Sequence, residues 1–251
     1  RLPKKGSEFV GKKSDYSKGS VAKNILNLAV PMTFAQLVNV LYSVVDRVYI
    51  GHIPHTSSEA LTGIGLSLPI ITIITAFANL FGMGGAPLCS IARGAGNTKK
   101  AEKIMGNSFV MLILSGVILL AACMAFKTPM LYLFGASEET YPYANEYLTI
   151  YLCGTLFVMV SLGMNNFINA QGFGKIGMFT VLIGAVLNLL LDPVFIFLFG
   201  MGVQGAALAT ILSQLVSAVF VLKFLTGKRA LFRLNRASMK LDWFQVKEIT
   251  G

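Results

Sequence analysis

The chain has 251 residues, 55% of them apolar and only 13% charged. That balance excludes a water-soluble globular domain and points to a polytopic membrane protein. The net charge of +10 does not call for nucleic acid. The basic residues fall in four groups, at 1–23, 93–103, 175 and 223–247, with only Arg47 and Lys127 elsewhere, which is the positive-inside pattern of cytosolic loops.

The apolar runs are far longer than the roughly 5–6 residues of a typical strand and show no period-two alternation, so helices and not a barrel cross the bilayer. Residues 1–24 read as a basic cytosolic tail without a cleavable signal pattern. A first span runs from about Ile25 to Gly51, with Pro31 in its first third as a candidate hinge. An outer loop follows with His52, Pro54, His55 and Glu59. Two loop histidines with no cysteine or further histidine beside them do not make a metal site.

The second span, about Leu61 to Ile91, is interrupted by Pro69 and by the run Gly82, Gly84, Gly85, Ala86, small residues that let helices approach closely. The run is no phosphate loop, having neither a preceding strand nor the lysine such a loop needs. Gly94-Ala95-Gly96-Asn97 is a turn signal inside a cytosolic loop, Arg93 to Lys103. The third span, about Ile104 to Phe126, carries no charge. Lys127 to Glu146 then reads as an outer loop with interfacial tyrosines.

A fourth span, about Tyr147 to Gln171, ends in an amide cluster of Asn165, Asn166 and Asn169. After a turn at Gly172 to Lys175, a fifth span runs from about Ile176 to Gly200. A short outer connection at Met201 to Gly205 makes it the antiparallel neighbour of a sixth, about Val203 to Leu225. Residues 226–251 read as a basic cytosolic segment containing Trp243, in which the amphipathic run Leu241 to Ile249 resembles a lead-in to something further. Six spans put both ends in the cytosol, as the charge distribution also requires. Cys89, Cys123 and Cys153 read as small buried apolar residues.

Within VLNLLLDPVFIFLFG, residues 186–200, Asp192 is the first functional candidate, because an ionisable group at mid-membrane costs about 2.5–3.5 kcal/mol on insertion scales. At 1.5 Å per residue it lies roughly 12 Å below the outer end of its span, with Asp46 roughly 7–8 Å and Thr210 roughly 10 Å below theirs. Three polar groups on three helices thus share one depth. Asn188 stands one turn before Asp192 on the same face. Asn39, Tyr42, Ser43 and Asp46 form a stripe on the first span, and Ser213, Gln214 and Ser217 join Thr210 on the sixth. Plain helix linking, worth about 0.6 kcal/mol on average, is the simpler reading for Asn39, Ser43, Ser213 and Ser217. Arg47 points about 100° away from Asp46 and snorkels outward.

Pro193 has no N–H to donate to the carbonyl of Leu189, which adds a backbone acceptor near Asp192. Carboxylate, amide, hydroxyl and carbonyl oxygens suit a hard cation. A proton held between two carboxylates would serve equally, and the two would compete for one site. With only two loop histidines there is no hydrolase-like grouping, and no enzyme is expected.

Several segments together, VPMTFAQLVNVLYSVVDRVYIGHI, APLCSIARGAGNTKKAE, NAQGFGKIGM, LNLLLDPVFIF and GVQGAALATILSQ, resemble the multidrug and toxic compound extrusion (MATE) family. The likeness runs in order from Ile25 to Leu225. It implies an all-α polytopic membrane fold of twelve helices in two six-helix lobes around a central cavity, of which this chain matches the N-terminal lobe. It also implies exchange of an incoming sodium ion or proton for an outgoing lipophilic or cationic drug. The family's cation-coupling aspartate, Asn, Asp and Thr fall on Asp46, Asn188, Asp192 and Thr210, with Tyr42 one turn before the first aspartate.

On that resemblance the domains are 1–24, a cytosolic tail; 25–225, the transmembrane lobe; and 226–251, the start of an inter-lobe linker. Asn39, Tyr42, Ser43, Asn165, Asn169 and Gln214 line or support the cavity, and Pro31 and Pro193 are the hinges. No cofactor is implied beyond a bound sodium ion. The partners implied are the lipid bilayer, small lipophilic or cationic substrates and a second six-helix lobe. The setting implied is the plasma membrane. Two alternatives stand beside this: a flippase of lipid-linked precursors from the related superfamily, and a non-transporting lobe that serves as an assembly partner. A pyrophosphate-bearing substrate would call for several basic residues inside the cavity, where the spans offer only Arg47.

Overall fold

The structure is a computed structural model and describes residues 20–53 and 57–250. The calls on the tail, on Pro54 and on His55 lie outside the described residues. Among the described residues eight α-helices follow in order: α1 (Val21–Ile50), α2 (Ser57–Gly94), α3 (Thr98–Leu133), α4 (Tyr141–Cys153), α5 (Thr155–Ala170), α6 (Gly174–Pro193), α7 (Gly202–Thr226) and α8 (Trp243–Thr250). Five of them are long and apolar enough to cross a membrane, and there are six spans if the bent pair α4–α5 counts as one. The fold is all-α, as the periodicity requires.

Three boundaries differ from the sequence reading. The third span does not end at Phe126, because α3 continues to Leu133. Lys127 is accommodated inside it by donating from Nζ to Thr149 Oγ1 on α4 at 2.6 Å. The outer loop therefore shrinks to residues 134–140. The second span is not interrupted either: α2 runs through Pro69 and Pro87 without a break. Its glycines are packing surfaces. A Cβ on Gly82 would stand 2.6 Å from the Gly163 carbonyl oxygen of α5, and one on Gly85 would run into Ser108 of α3 and Phe167 of α5.

The fourth span is two helices bent by 58°. The break falls at Gly154, where a Cβ would collide with the side chain of Ile211 on α7; the close crossing of α7 admits only glycine there. Next to it Cys153 is exposed, whereas Cys89 and Cys123 are buried, so the expectation of three buried thiols fails at the residue on the bend.

The core is built around α2, which packs on α3, α4 and α5, while α7 closes against α4, α5 and α6. Side chains such as Ile70, Ile74, Met105, Leu112 and Phe167 are fully buried there. By contrast α1 rests chiefly on α6 and leaves Val30, Leu37, Val40 and Leu41 more than half exposed. At one end of the bundle, the basic end, Asn97 accepts the Lys100 N–H at 2.9 Å and starts α3, with Gly96 at φ +73° completing the turn. Residues 227–250 fold back onto that end. Leu231 N–H donates to Gln171 Oε1 at 2.7 Å, and Arg233 N–H and Asn235 Nδ2 donate to the two oxygens of Glu102.

Candidate cation site and cavity

Asn188 and Asp192 sit one turn apart on α6, both almost fully buried. Asn188 Nδ2 donates to Asp192 Oδ1 at 3.1 Å and reaches Thr210 Oγ1 on α7 at 3.4 Å. The Thr210 hydroxyl in turn donates to the Ala206 carbonyl of its own helix at 3.0 Å, which leaves its lone pairs facing Asn188. From α1, Asp46 reaches the same cluster and lies beside Asp192. The four residues proposed from depth and spacing are thus brought together across three helices.

The chain bends locally to make this possible. Pro193 ends α6, and the next residues, Val194–Leu198, wind as a π-turn in which the Phe199 N–H reaches the Val194 carbonyl at 2.9 Å. A proline cannot continue the α ladder, and the chain leaves it in a wider turn. Gly205 of α7 seats against this turn, where a Cβ would stand 2.7 Å from the Phe195 carbonyl carbon. The start of α7 is thereby fixed beside the Asp192 turn, and Thr210 with it.

Three buried oxygens of the cluster, Asp46 Oδ1, Asn188 Oδ1 and Asp192 Oδ2, have no hydrogen-bond partner. Buried acceptors are normally satisfied, and each exception asks for an explanation. Two carboxylates, an amide oxygen and a hydroxyl, with three of those acceptors open, suit a hard monovalent cation or a proton. Among the described residues no three His, Cys, Asp or Glu side chains converge, so the local negative charge stops at the two carboxylates.

Towards the basic end lies a cavity of about 440 Å³. Tyr42, one turn before Asp46, forms part of its wall and so stands between cavity and quartet. Asn39, Asn165, Asn169 and Gln214 line it as expected. Gln214 accepts from Ser161 Oγ at 2.5 Å, and Asn165 Nδ2 donates to the Gly177 carbonyl at 3.3 Å. The amide oxygens of Asn165 and Asn169 are without a partner and crowd the bare Cα of Gly177. None of the lining residues is charged.

Other expected members fall elsewhere. Ser43 is not part of this wall: it turns with Arg47 to a separate surface groove and donates to the Asn39 carbonyl of its own helix at 3.0 Å, a bond within α1 and not a link between helices. Ser217, by contrast, does line the cavity and also links two helices, donating to the Thr180 carbonyl on α6 at 3.3 Å. Pro31 is buried in the unbroken α1. Arg47 is exposed. Sequence reading missed Tyr147 and Tyr151 of α4, which are buried, stack on each other with centroids 6.1 Å apart and lie near Tyr42, Tyr147 also near both aspartates. Their i, i+4 spacing, extended back to Tyr143, was the available signal of a helical face.

Comparison with known proteins bears out the helical membrane fold. A family model described as MatE matches residues 31–194. Multidrug export protein MepA of Staphylococcus haemolyticus is 29% identical over 93% of the chain and 51% of its own length. The protein of that name from Staphylococcus aureus is 30% identical over 93% and 51%. A solved structure described as the outward-facing conformation of a multidrug resistance MATE family transporter of the MOP superfamily superimposes with a TM-score of 0.86 at 26% identity, over 95% of this chain and 53% of that one. The chain spans about half the length of the curated relatives it matches.

Proposed function

The chain belongs to the MatE family, and from that premise we propose that it forms the N-terminal six-helix lobe of a sodium- or proton-coupled antiporter that exports lipophilic or cationic drugs. The observation that carries this reading is the buried quartet Asp46, Asn188, Asp192 and Thr210, with three acceptor oxygens open. A transporter needs a site whose occupancy changes the relation between helices, and a ligand can do that only by binding one arrangement better than another. Asp46 stands on α1, which rests mainly on α6, whereas Asp192 stands on a helix held from both sides by α1 and α7.

Two ionised carboxylates facing each other repel, and a proton or a sodium ion between them removes that repulsion. Binding would therefore draw α1 towards α6, with Pro31 and Pro193 as the points of bending. The uncharged, amide-lined cavity next to the quartet would receive the drug, and Tyr42, shared by both, would couple the two. A second six-helix lobe would close the other side. In the cell membrane, the positive-inside rule puts the basic end in the cytosol. A pyrophosphate-bearing lipid finds no counter-charge here, since no lysine or arginine lines the cavity, and the flippase reading is not favoured.

In the full-length transporter Asp46→Asn and Asp192→Asn should each abolish coupled drug efflux at normal expression. Near-normal efflux in both would overturn the assignment. Because sodium can occupy only oxygens free of the proton, sodium affinity should fall as pH is lowered.

A further inference from the structure

The segment that follows α7 presents a face the bundle does not cover. In α8 the side chains of Gln245, Val246 and Ile249 are buried against α2 and α3, while Trp243 and Phe244 are 77% and 71% exposed. Lys247 and Thr250 are exposed as well. At about 100° per residue, Trp243, Lys247 and Thr250 lie on one stripe that Phe244 borders. The acids of the segment are engaged elsewhere. Glu248 pairs with Lys100 at 2.9 Å, and Asp242 Oδ1 accepts the Phe244 N–H at 3.1 Å. The open face is aromatic and cationic.

Its level relative to the bilayer follows from its anchors. Asp242 N–H donates to Asn107 Oδ1 at 2.8 Å, the Ser238 carbonyl presses on Gly106, and the Ile249 carbonyl presses on Gly84. Gly84 and Asn107 each lie about 14–15 Å from the turn that joins α2 to α3, so α8 crosses this helix pair at one height. Large exposed apolar side chains on α3 run from Leu114 to Leu133, about 29 Å of helix, the thickness of a hydrocarbon core. Asn107 lies about 10 Å before Leu114. Measured along α3, α8 therefore crosses outside that apolar stretch, at the level where headgroups would sit.

We propose that the exposed face of α8 is an interfacial anchor seated among anionic lipid headgroups, with the Trp243 and Phe244 rings at the glycerol level and Lys247 among the phosphates. Amphipathic aromatic rings favour that depth, and an aromatic face that carries Lys247, with Glu248 neutralised by Lys100, is complementary to an anionic leaflet. The exposed Lys99 and Lys103 of the neighbouring turn extend the same charge. Gly84 and Gly106 then have a reason beyond helix packing: a Cβ at either would lift the anchor from its seat. None of this depends on the quartet.

Trp243 is the single tryptophan of the 251 residues and reports on the proposal directly. The full-length protein, with any further tryptophans changed to phenylalanine, is placed in nanodiscs of phosphatidylglycerol or phosphatidylcholine. Trp243 emission should be blue-shifted and quenched by lipids brominated near the glycerol end, and far less by iodide in the water. At limiting brominated lipid, phosphatidylglycerol should quench better than phosphatidylcholine, and Lys247→Glu should weaken that preference on a scale of roughly fivefold per basic charge removed. Quenching by iodide alone would put the face in water. Resistance to both quenchers would mean that protein, such as the second lobe, covers it. Equal quenching by the two lipids would remove the anionic partner. Any of these outcomes overturns the proposal.

Discussion

Two long membrane helices of this lobe are held in opposite ways. Helix α2 is clasped by α3, α4 and α5, with bare glycines at the crossings, so that backbone meets backbone and little can move without opening the core. Helix α1 carries one of the two interior aspartates yet rests on essentially one neighbour, with lipid-sized side chains exposed along most of its length. The proposed cation site is the seam between these regimes: Asp46 on the loosely held side, Asn188, Asp192 and Thr210 on the firmly held one. A seam of that kind is where a binding energy of a few kcal/mol can select a helix position, because the loosely packed element belongs to the low-stability end of the fold.

Substitutions should separate the two regimes in a graded way. The largest effect is expected for Gly82→Leu, which forces a side chain between α2 and the Gly163 carbonyl of α5. Overpacking of this kind costs about 1–3 kcal/mol and should appear as lost expression or a lowered Tm of the detergent-solubilised full-length protein. An unchanged Tm would show that α2 is not clasped. Next comes Asn188→Ala. It removes the donor shared by Asp192 and Thr210, leaves buried acceptors unpaired at about 1–3 kcal/mol, and should weaken sodium binding while α2 and α3 keep their protection from hydrogen exchange. The smallest is Leu41→Ala, on α1 and 63% exposed, which should change stability by no more than about 0.5 kcal/mol. A larger loss would mean that α1 is held more firmly than its exposure shows.

The same contrast separates what the amino-acid sequence reveals from what it hides. Span count, the basic turn at 93–103 and the polar depth-match of Asp46, Asp192 and Thr210 are local in character: run length, charge and 1.5 Å of rise per residue suffice. Asp192 was legible because a carboxylate in an apolar run is expensive without a purpose. The bend at Gly154 was not, since its cause is Ile211 on α7, 57 residues away in the chain. Nor was the extension of α3 past Lys127, which depends on Thr149 lying opposite. Tyr147 and Tyr151 fall inside the predicted fourth span with no local sign of which way they face; their burial comes from where α4 packs. The return of residues 227–250 onto the basic end rests on Glu102, Asn107 and Gln171, each paired with backbone more than fifty residues distant. Seam and contacts of this type are tertiary facts with no local signature.

The central claim, that occupancy of the quartet draws α1 towards the rest of the lobe, has a direct measurement. Spin labels go on Val48 near the Asp46 end of α1 and on Leu133 at the matching end of α3, both exposed, in the reconstituted full-length protein. Pulsed dipolar spectroscopy then reads the distance between them as sodium is added at neutral pH, or as pH is lowered without sodium. The account predicts that either addition shifts and narrows the distance distribution in the wild type and leaves Asp192→Asn unresponsive. A wild-type distribution indifferent to both sodium and acid, or an equal shift in Asp192→Asn, would contradict it.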